Sequence, residues 1–272
     1  MKEGRVQVSQ EQKRIVRDDY PVYGGICLVT DSPLDVGYPF LHYHQVIEIG
    51  IVREGSGIFS VAGGVEPFSE GYVTAAFPHA VHIGSAAGES PCTFDYLLID
   101  PKEAFFRIPY LPVRLAESSL PGGVYPDQEI RSTAKRLCGE VKKNPQSFLS
   151  QLLAAELLER IFQVSEEKRR TEIPENLLPA LGMIALEYHT PITCRALSVR
   201  CLMSETDFRR KFRVAMGISP MEYLYKTRIA AASALLENGE KSVLEIANAV
   251  GYESPSSFYR HFRRFTGHAP KR

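Results

Sequence analysis

Hydrophobic positions change their spacing twice along this chain of 272 residues. From about Val22 to Asp100 they alternate with polar positions in short runs cut by glycine. Val46 to Val52 is followed by Gly55-Ser56-Gly57, Ile58 to Ala62 by Gly63-Gly64, and Tyr72 to Phe77 follows Glu70-Gly71. A period of two buries one face of a strand and glycine supplies the hairpins, so this stretch predicts an all-β sandwich or barrel. The period then becomes helical, from Asp127 to about Asn144 and from Gln146 to about Lys168, with Pro145 as the break. In the second helix Phe148, Leu152, Ala155, Leu158 and Phe162 form one stripe, and Leu149, Leu153, Leu157 and Ile161 form its neighbour. Glu156, Glu159, Arg160 and Gln163 make the wet face. So wide an apolar sector predicts packing on the barrel, with the second stripe left over for a second copy of the chain. Packing wholly within one chain is the alternative. The charged run Glu166 to Arg170, followed by Thr171-Glu172-Ile173-Pro174, reads as a solvated hinge, and residues 101–126 as irregular chain that wraps or connects the barrel.

From about Cys194 onward the apolar positions fall into two short helix pairs of one design. In the first, a helix ending near Cys201 leads to Ser204, a helix N-cap with Asp207 placed to reach back as in a capping box. Phe208 and Phe212, four apart, bury one face and turn Thr206, Arg209, Arg210 and Arg213 outward. In the second, Ile246, Ala247 and Val250 support, Gly251 turns, and Ser254-Pro255 starts a helix that buries Phe258 and Phe262. Ser256, Ser257, Tyr259, Arg260 and Arg263 stay outside. The two phenylalanine pairs are fifty residues apart. Between them, Ser219-Pro220 starts a helix to about Glu237, a rod of about 27 Å at 1.5 Å per residue. That length approaches one turn of duplex, about 34 Å, as two major-groove readers would require.

These positions resemble the AraC-type transcription regulators. The resemblance covers about Ile184 to Lys271 and rests on Pro191, Thr193, Leu197, Ser204, Phe208, Arg210, Phe212, Gly217, Ser219-Pro220, Tyr223, Arg228, Ala232, Leu235-Leu236, Ile246-Ala247, Gly251-Tyr252, Phe258, Arg260, Phe262, Gly267 and Pro270. The chain departs from the pattern at Ser198, where alanine is usual, and at Glu205, where proline is frequent; it also reaches Arg272 before the tyrosine-arginine that often follows the last proline. The resemblance implies promoter DNA, a small-molecule effector, a second copy of the chain and RNA polymerase as partners. Arg209, Arg210 and Arg260 are the expected main DNA contacts, because guanidinium pairs with guanine bidentately or clamps phosphate. Arg210 and Arg260 hold equivalent places that in the family support the helix or touch phosphate, so Arg209 is the expected base reader. Thr206 and Ser256 lie near the starts of their helices, in reach of base edges or phosphate.

Composition changes this picture little. Hydrophobic residues make up 44% and charged residues 24%, ordinary for a soluble two-domain protein. Net charge is zero, but from Glu172 onward 14 basic residues face 10 acidic, against 18 and 22 before it. The positive surplus falls on the half expected to meet phosphate. Five cysteines, Cys27, Cys92, Cys138, Cys194 and Cys201, never form a Cys-x-x-Cys pair, which argues for free thiols and against structural zinc. No run of eighteen apolar residues and no signal-peptide core appears, so a cytoplasmic protein with no membrane partner is expected.

One cluster carries further chemistry. His42 and His44, two apart, and Glu48, four further on, share a face if the strand is regular. With Gly55 they resemble the first cupin motif, and Gly71 through Pro78 to His82 resembles a shortened second one, with Ala80 near the expected glycine. The resemblance implies a divalent transition metal held by His42, His44, Glu48 and His82, a donor set suited to iron, manganese, nickel or zinc. A metal-free effector pocket, with Tyr38, Tyr43 and His79 near its mouth, and purely structural histidines remain open beside it.

The expected fold class is α+β. A cupin-like β-barrel that binds effector (1–126) is followed by a helical dimerisation or linker region (127–170). An all-α DNA-binding domain of two helix-turn-helix units joined by a linking helix completes the chain (171–272). The expected function is an effector-controlled transcription regulator without catalysis. A metal-dependent cupin enzyme with a DNA-binding tail and an effector-free architectural binder are the rivals.

Overall fold

A computed structural model of the chain describes residues 16–17, 25–34, 41–88, 92–105, 120–165, 173–239 and 241–271. Its N-terminal half has β1 (Val16–Arg17), β2 (Ile26–Pro33), β3 (His42–Tyr43), β4 (Ile47–Glu54), β5 (Gly57–Val61), β6 (Gly64–Phe68), β7 (Val73–Ala76), β8 (His82–Ala86), β9 (Thr93–Ile99) and β10 (Gly122–Tyr125). They form two five-stranded sheets, ordered β1-β3-β8-β5-β6 and β10-β7-β4-β9-β2. Pairing stays within each sheet, so the expected barrel is a two-sheet jelly roll and not a closed ring of strands.

The period of two decides what each strand touches. On β4, Ile47, Ile49 and Ile51 are buried against α2 (Gln128–Val141) and α3 (Phe148–Ser165), in one core with Ile130, Leu137, Leu157 and Phe162. Their neighbours Glu48, Gly50 and Val52 take the opposite face, toward the other sheet. On β5 and β8, Phe59 and His82 face the interior, while Ile58 and Ile83 belong to the core of the C-terminal helices. The layers are therefore the α2–α3 pair, one sheet, an interior space, the other sheet and the C-terminal domain.

The α3 helix corrects one expectation. Leu153, Leu157 and Ile161 are at most 5% exposed and pack within the chain, so of the second stripe only Leu149 is left for an intersubunit contact. With α2 on one flank and a sheet on the other, the fold covers both stripes beyond Leu152. The stripe residues left outside are Phe148, Leu149 and Leu152 at the start of the helix, 54, 49 and 43% exposed.

After the short α1 (Pro101–Ala104) and the α2–α3 pair, the C-terminal domain runs α4 (Leu178–Glu187), α5 (Cys194–Arg200), α6 (Glu205–Met216), α7 (Pro220–Asn238), α8 (Val243–Ala249) and α9 (Pro255–Thr266). The linking helix α7 has 19 residues, about 28 Å. Leu181 and Ala185 of α4 and Leu235 of α7 share a core with Leu41, Ile58, Val65 and Ile83 of the jelly roll. Polar bonds join the halves as well: Ser69 Oγ donates to Glu237 at 2.7 Å, and Tyr188 Oη to the Ala86 carbonyl at 3.3 Å. All five cysteines are free thiols, four of them buried. Among the described residues no helix is long and apolar enough to cross a membrane.

Candidate nucleic-acid interface and interior pocket

The α6 helix starts because Ser204 caps it, its Oγ accepting from the Asp207 amide at 3.2 Å, and stops at Gly217, a left-handed residue with φ 72°. Phe208 and Phe212 are fully buried with ring centroids 5.5 Å apart, and Phe212 meets Tyr223 of α7 edge-on. Thr206, Arg209, Arg210 and Arg213 lie on the exposed side. The α9 helix repeats the plan: Ser254 caps, Pro255 opens the first turn, Gly267 ends it with φ 82°, and Phe258 and Phe262 are buried 5.6 Å apart. Ser256, Tyr259, Arg260 and Arg263 are exposed and Ser257 is half-buried.

The reciprocal capping box expected at Ser204 does not form. The Asp207 carboxylate turns to Arg210, at 2.7 Å, and to Lys211, at 2.9 Å, which hold it below the usual carboxylate range. A complete box forms at α8, where Ser242 and Glu245 exchange bonds of 3.3 and 2.7 Å. Arg228, quoted above only for its resemblance, has a structural role. It is buried, with Nε on the Tyr188 carbonyl at 2.7 Å and Nη2 on the Thr190 carbonyl at 2.8 Å, and so pins the end of α4 to α7. Beside it Gly251 (φ +88°) has no room for a side chain, since a Cβ there would lie 2.6 Å from the His189 carbonyl oxygen.

Between the sheets lies a cavity of about 270 Å³. Its walls are apolar, with Leu34, Phe59, Phe94, Tyr96 and Leu98, and its polar floor is His42, Glu48 and His82. Phe94 and Tyr96 stack at 5.2 Å. The apolar lining was missed in the sequence, although Phe94, Tyr96 and Leu98 recur at the strand period along β9.

The expected quartet converges, but not along one regular strand. His42 ends up on β3 of one sheet and Glu48 on β4 of the other, and the chain crosses between the sheets at residues 44–46. His44 Nδ1 lies 2.9 Å from the Val46 carbonyl, and His82 Nδ1 2.8 Å from the Ala80 carbonyl. A carbonyl only accepts, so each Nδ1 carries a proton and each ring turns its Nε2 toward the cavity side. Both Nε2 atoms approach Glu48, at 3.3 Å from His44 and 3.7 Å from His82. His82 Nε2 is buried and makes no hydrogen bond. Burial pushes the Glu48 carboxyl upward, but the His44 and His82 imidazoles beside it outweigh that and hold the group well below the usual carboxylate range. One donor atom from each of His42, His44, Glu48 and His82 can be chosen so that all lie within 4.8 Å of one another.

The remaining pocket expectations fare differently. His44 lies behind the cavity lining, and Tyr43 takes the other face of β3 from His42. His79 is exposed, in a left-handed turn with φ 65°, so it does not belong to the pocket. Tyr38 lies outside the described residues.

Comparison with known proteins agrees with this division. The AraC-like ligand binding domain family matches residues 23–162, and a helix-turn-helix domain family matches residues 197–272. The probable transcriptional regulator LumQ of Photobacterium leiognathi is 28% identical over 140 residues, 50% of this chain and 56% of that protein. The HTH-type transcriptional regulator AlkR of Acinetobacter baylyi is 33% identical over 92 residues, 34% of this chain and 30% of that protein. The chain thus spans about half or less of these two relatives. The HTH-type transcriptional activator RhaS of Salmonella heidelberg is 24% identical over 241 residues, 85% of each chain. With an AraC-like ligand binding domain matched over half its length and a helix-turn-helix domain behind it, the chain belongs to the AraC-type transcription regulators.

Proposed function

We infer that this protein acts in the cytoplasm as a sequence-specific DNA-binding regulator, that α6 and α9 enter successive major grooves, and that the cavity between the sheets takes a small effector. The observation that carries the DNA reading is the repetition: two exposed, arginine-bearing helix faces, each fixed from beneath by a buried phenylalanine pair and held apart by α7. Footprinting on a duplex selected from a random library tests it. Two protected major grooves per subunit, about 34 Å apart, are expected; a single protected groove would refute the tandem reading. The exposed Phe148, Leu149 and Leu152 of α3 are the proposed contact with a second copy, and RNA polymerase is the proposed downstream partner.

Within the cavity, the quartet suits a divalent transition metal. Ligating histidines normally donate their other ring nitrogen to a carbonyl or carboxylate, and His44 and His82 do so. The buried Nε2 of His82, which makes no hydrogen bond, and the Glu48 carboxylate set between the two imidazoles are what a cation would engage. Donors about 2.1 Å from one ion lie at most about 4.2 Å apart, so a set spread over 4.8 Å would draw in by about half an ångström or more. When bound, such an ion supplies a Lewis-acidic anchor for an oxygen, nitrogen or sulfur atom of an effector. His42, Glu48 and His82 would hold it at the cavity floor, His44 would complete the set from behind, and Phe59, Phe94 and Tyr96 would exclude water around an apolar effector body. The relatives named above are regulators, which supports a sensor over a cupin enzyme with a DNA-binding tail. Elemental analysis of protein purified without chelator should find close to one transition metal per chain, and His82→Ala should abolish it. No metal in wild type after reconstitution with zinc or manganese would leave a metal-free pocket.

A further inference from the structure

Glu205 departs from the family pattern, and its place in α6 gives that departure a function. It occupies the first helical position, and Arg209 follows one turn later. Arg209 donates to the same carboxylate oxygen, Glu205 Oε1, through Nε at 3.0 Å and Nη2 at 2.5 Å. An acid placed four residues before a base is the favourable order on a helix surface. The contact uses the side edge of the guanidinium. Of the five N–H groups, three remain, including the end-on pair of Nη1 and Nη2 that matches O6 and N7 of guanine. Asp207 also pairs with Arg210, through its Nη2, and with Lys211.

The second unit is built differently. Fifty residues on, the positions of Glu205, Asp207 and Arg209 are Pro255, Ser257 and Tyr259, and Pro255 to Thr266 contains no acidic residue at all. Its Arg260 leans on the Ser257 hydroxyl at 3.4 Å. The two recognition helices therefore differ in electrostatic design: α6 carries its own counter-charges, whereas α9 carries none. The carboxylate that Arg264 meets, Glu222, comes from α7 and leaves the Arg260 side without an acid on the helix. A free arginine reaches any phosphate, and phosphate contact attracts every sequence alike. An arginine already held by a neighbouring carboxylate loses that partner if it swings to a phosphate, but keeps it while reading a base with its far end.

We propose that Glu205 is a specificity-determining residue of α6: it holds Arg209 by its side edge for a guanine and, through its own charge, discourages binding to other sequences. The second unit supplies the sequence-tolerant attraction. This rests on the assignment of α6 to a major groove, and the test separates the two. Full-length wild type, Glu205→Ala, Glu205→Gln, Arg209→Ala and the Glu205→Ala/Arg209→Ala double variant are titrated onto the selected duplex. The same set is run on its single-base variants and on unrelated duplex, at several salt concentrations, with helical circular dichroism confirming that each variant folds.

Arg209→Ala should erase a preference of about 5- to 150-fold for a G·C pair at one position. Glu205→Ala should lose most of that same preference, bind unrelated duplex several-fold more tightly, and steepen the log–log salt slope by about 0.9 as Arg209 reaches a phosphate. Glu205→Gln keeps an acceptor oxygen without the charge, so it should tighten unrelated binding while retaining more of the base preference. The double variant should lose no more preference than Arg209→Ala alone, as for two residues acting through one contact. If Arg209→Ala erases the preference and Glu205→Ala leaves it whole, the buttress is wrong and the groove assignment stands. A preference for cytosine that vanishes in Glu205→Ala but survives in Arg209→Ala would mean that Glu205 touches a base itself, which also overturns the proposal. If neither residue alters preference, affinity or salt slope, α6 is not in a groove.

Discussion

Replacing Arg228 by methionine should loosen the joint between α4, α7 and the Gly251 turn. The side chain is 8% exposed and bonds two carbonyls, of Tyr188 and Thr190, at 2.7 and 2.8 Å. Methionine fills much of the volume but donates nothing. An acceptor left buried without a donor costs about 1–3 kcal/mol, so two cost about 2–6 kcal/mol. Part returns because a guanidinium no longer has to be desolvated, and the half-buried Thr190 can draw on solvent. The net expectation is a loss of about 2–4 kcal/mol. For a helical domain of roughly this size that corresponds to a fall in melting temperature of roughly 10 °C or more. Thermal melts of the full chain followed by far-ultraviolet circular dichroism read it directly. Arg228→Lys keeps the charge but not the two-pronged geometry and should fall between. Since the Arg228 guanidinium is buried and taken up by two backbone carbonyls, the folded fraction should bind promoter DNA as wild type does. A melt within one or two degrees of wild type would refute the reasoning, and so would lost DNA affinity at unchanged stability.

Phe262→Ala should cost about 3–5 kcal/mol by removing a buried ring from a small core, whereas Leu202→Ala, at a side chain 96% exposed, should stay within about 0.5 kcal/mol on the same melts. Leu152→Glu should turn dimer into monomer in sedimentation without unfolding the chain, while Leu153→Glu should unfold it; a monomeric wild type at tens of micromolar would end the dimer proposal. His261 stacks on Tyr225 and its Nδ1 lies 3.0 Å from Tyr252 Oη. Burial first, then the charges of Arg260, Arg264 and Arg228, hold its pKa below the ordinary value. The unfolded chain therefore takes up a proton near pH 6.5 that the folded chain refuses, and stability present above that pH is lost as pH falls through the folded pKa. Wild type should lose more stability than His261→Gln between pH 7.5 and 5.5, and equal losses would show that His261 does not titrate differently on folding.

What the sequence disclosed and what it hid follow from the range of the interactions involved. Phe208, Phe212, Phe258 and Phe262 were legible because a helix face is set by residues three and four apart. The α4 helix was not, since Leu178 to Glu187 is apolar nearly all round and therefore has no stripe; it lies wedged between the jelly roll and the first unit. The box expected at Ser204 failed because Arg210 and Lys211 outbid the cap amide for the short Asp207 side chain, while the longer Glu245 reaches back at Ser242. The four-residue cluster was implied by the resemblance to the cupin motifs, yet it meets through a crossing between sheets that no local pattern reports. Which side of α3 stays exposed depended on how far α2 and a sheet cover it, which is tertiary information.

The alternation along β5 and β8 has one more consequence. Ile58 and Phe59, or His82 and Ile83, are consecutive in the chain yet belong to different compartments, one the cavity and the other the seat of the DNA-binding helices. A message from the cavity to the core of the DNA-binding domain thus has only the thickness of a backbone to cross before it reaches side chains packed on α4 and α7. Trimming the far side of this partition, as in Ile83→Val, would leave both the effector floor and the arginine faces untouched. Such changes would retune the effector concentration at which the regulator responds while its repertoire of ligands and operators stays the same.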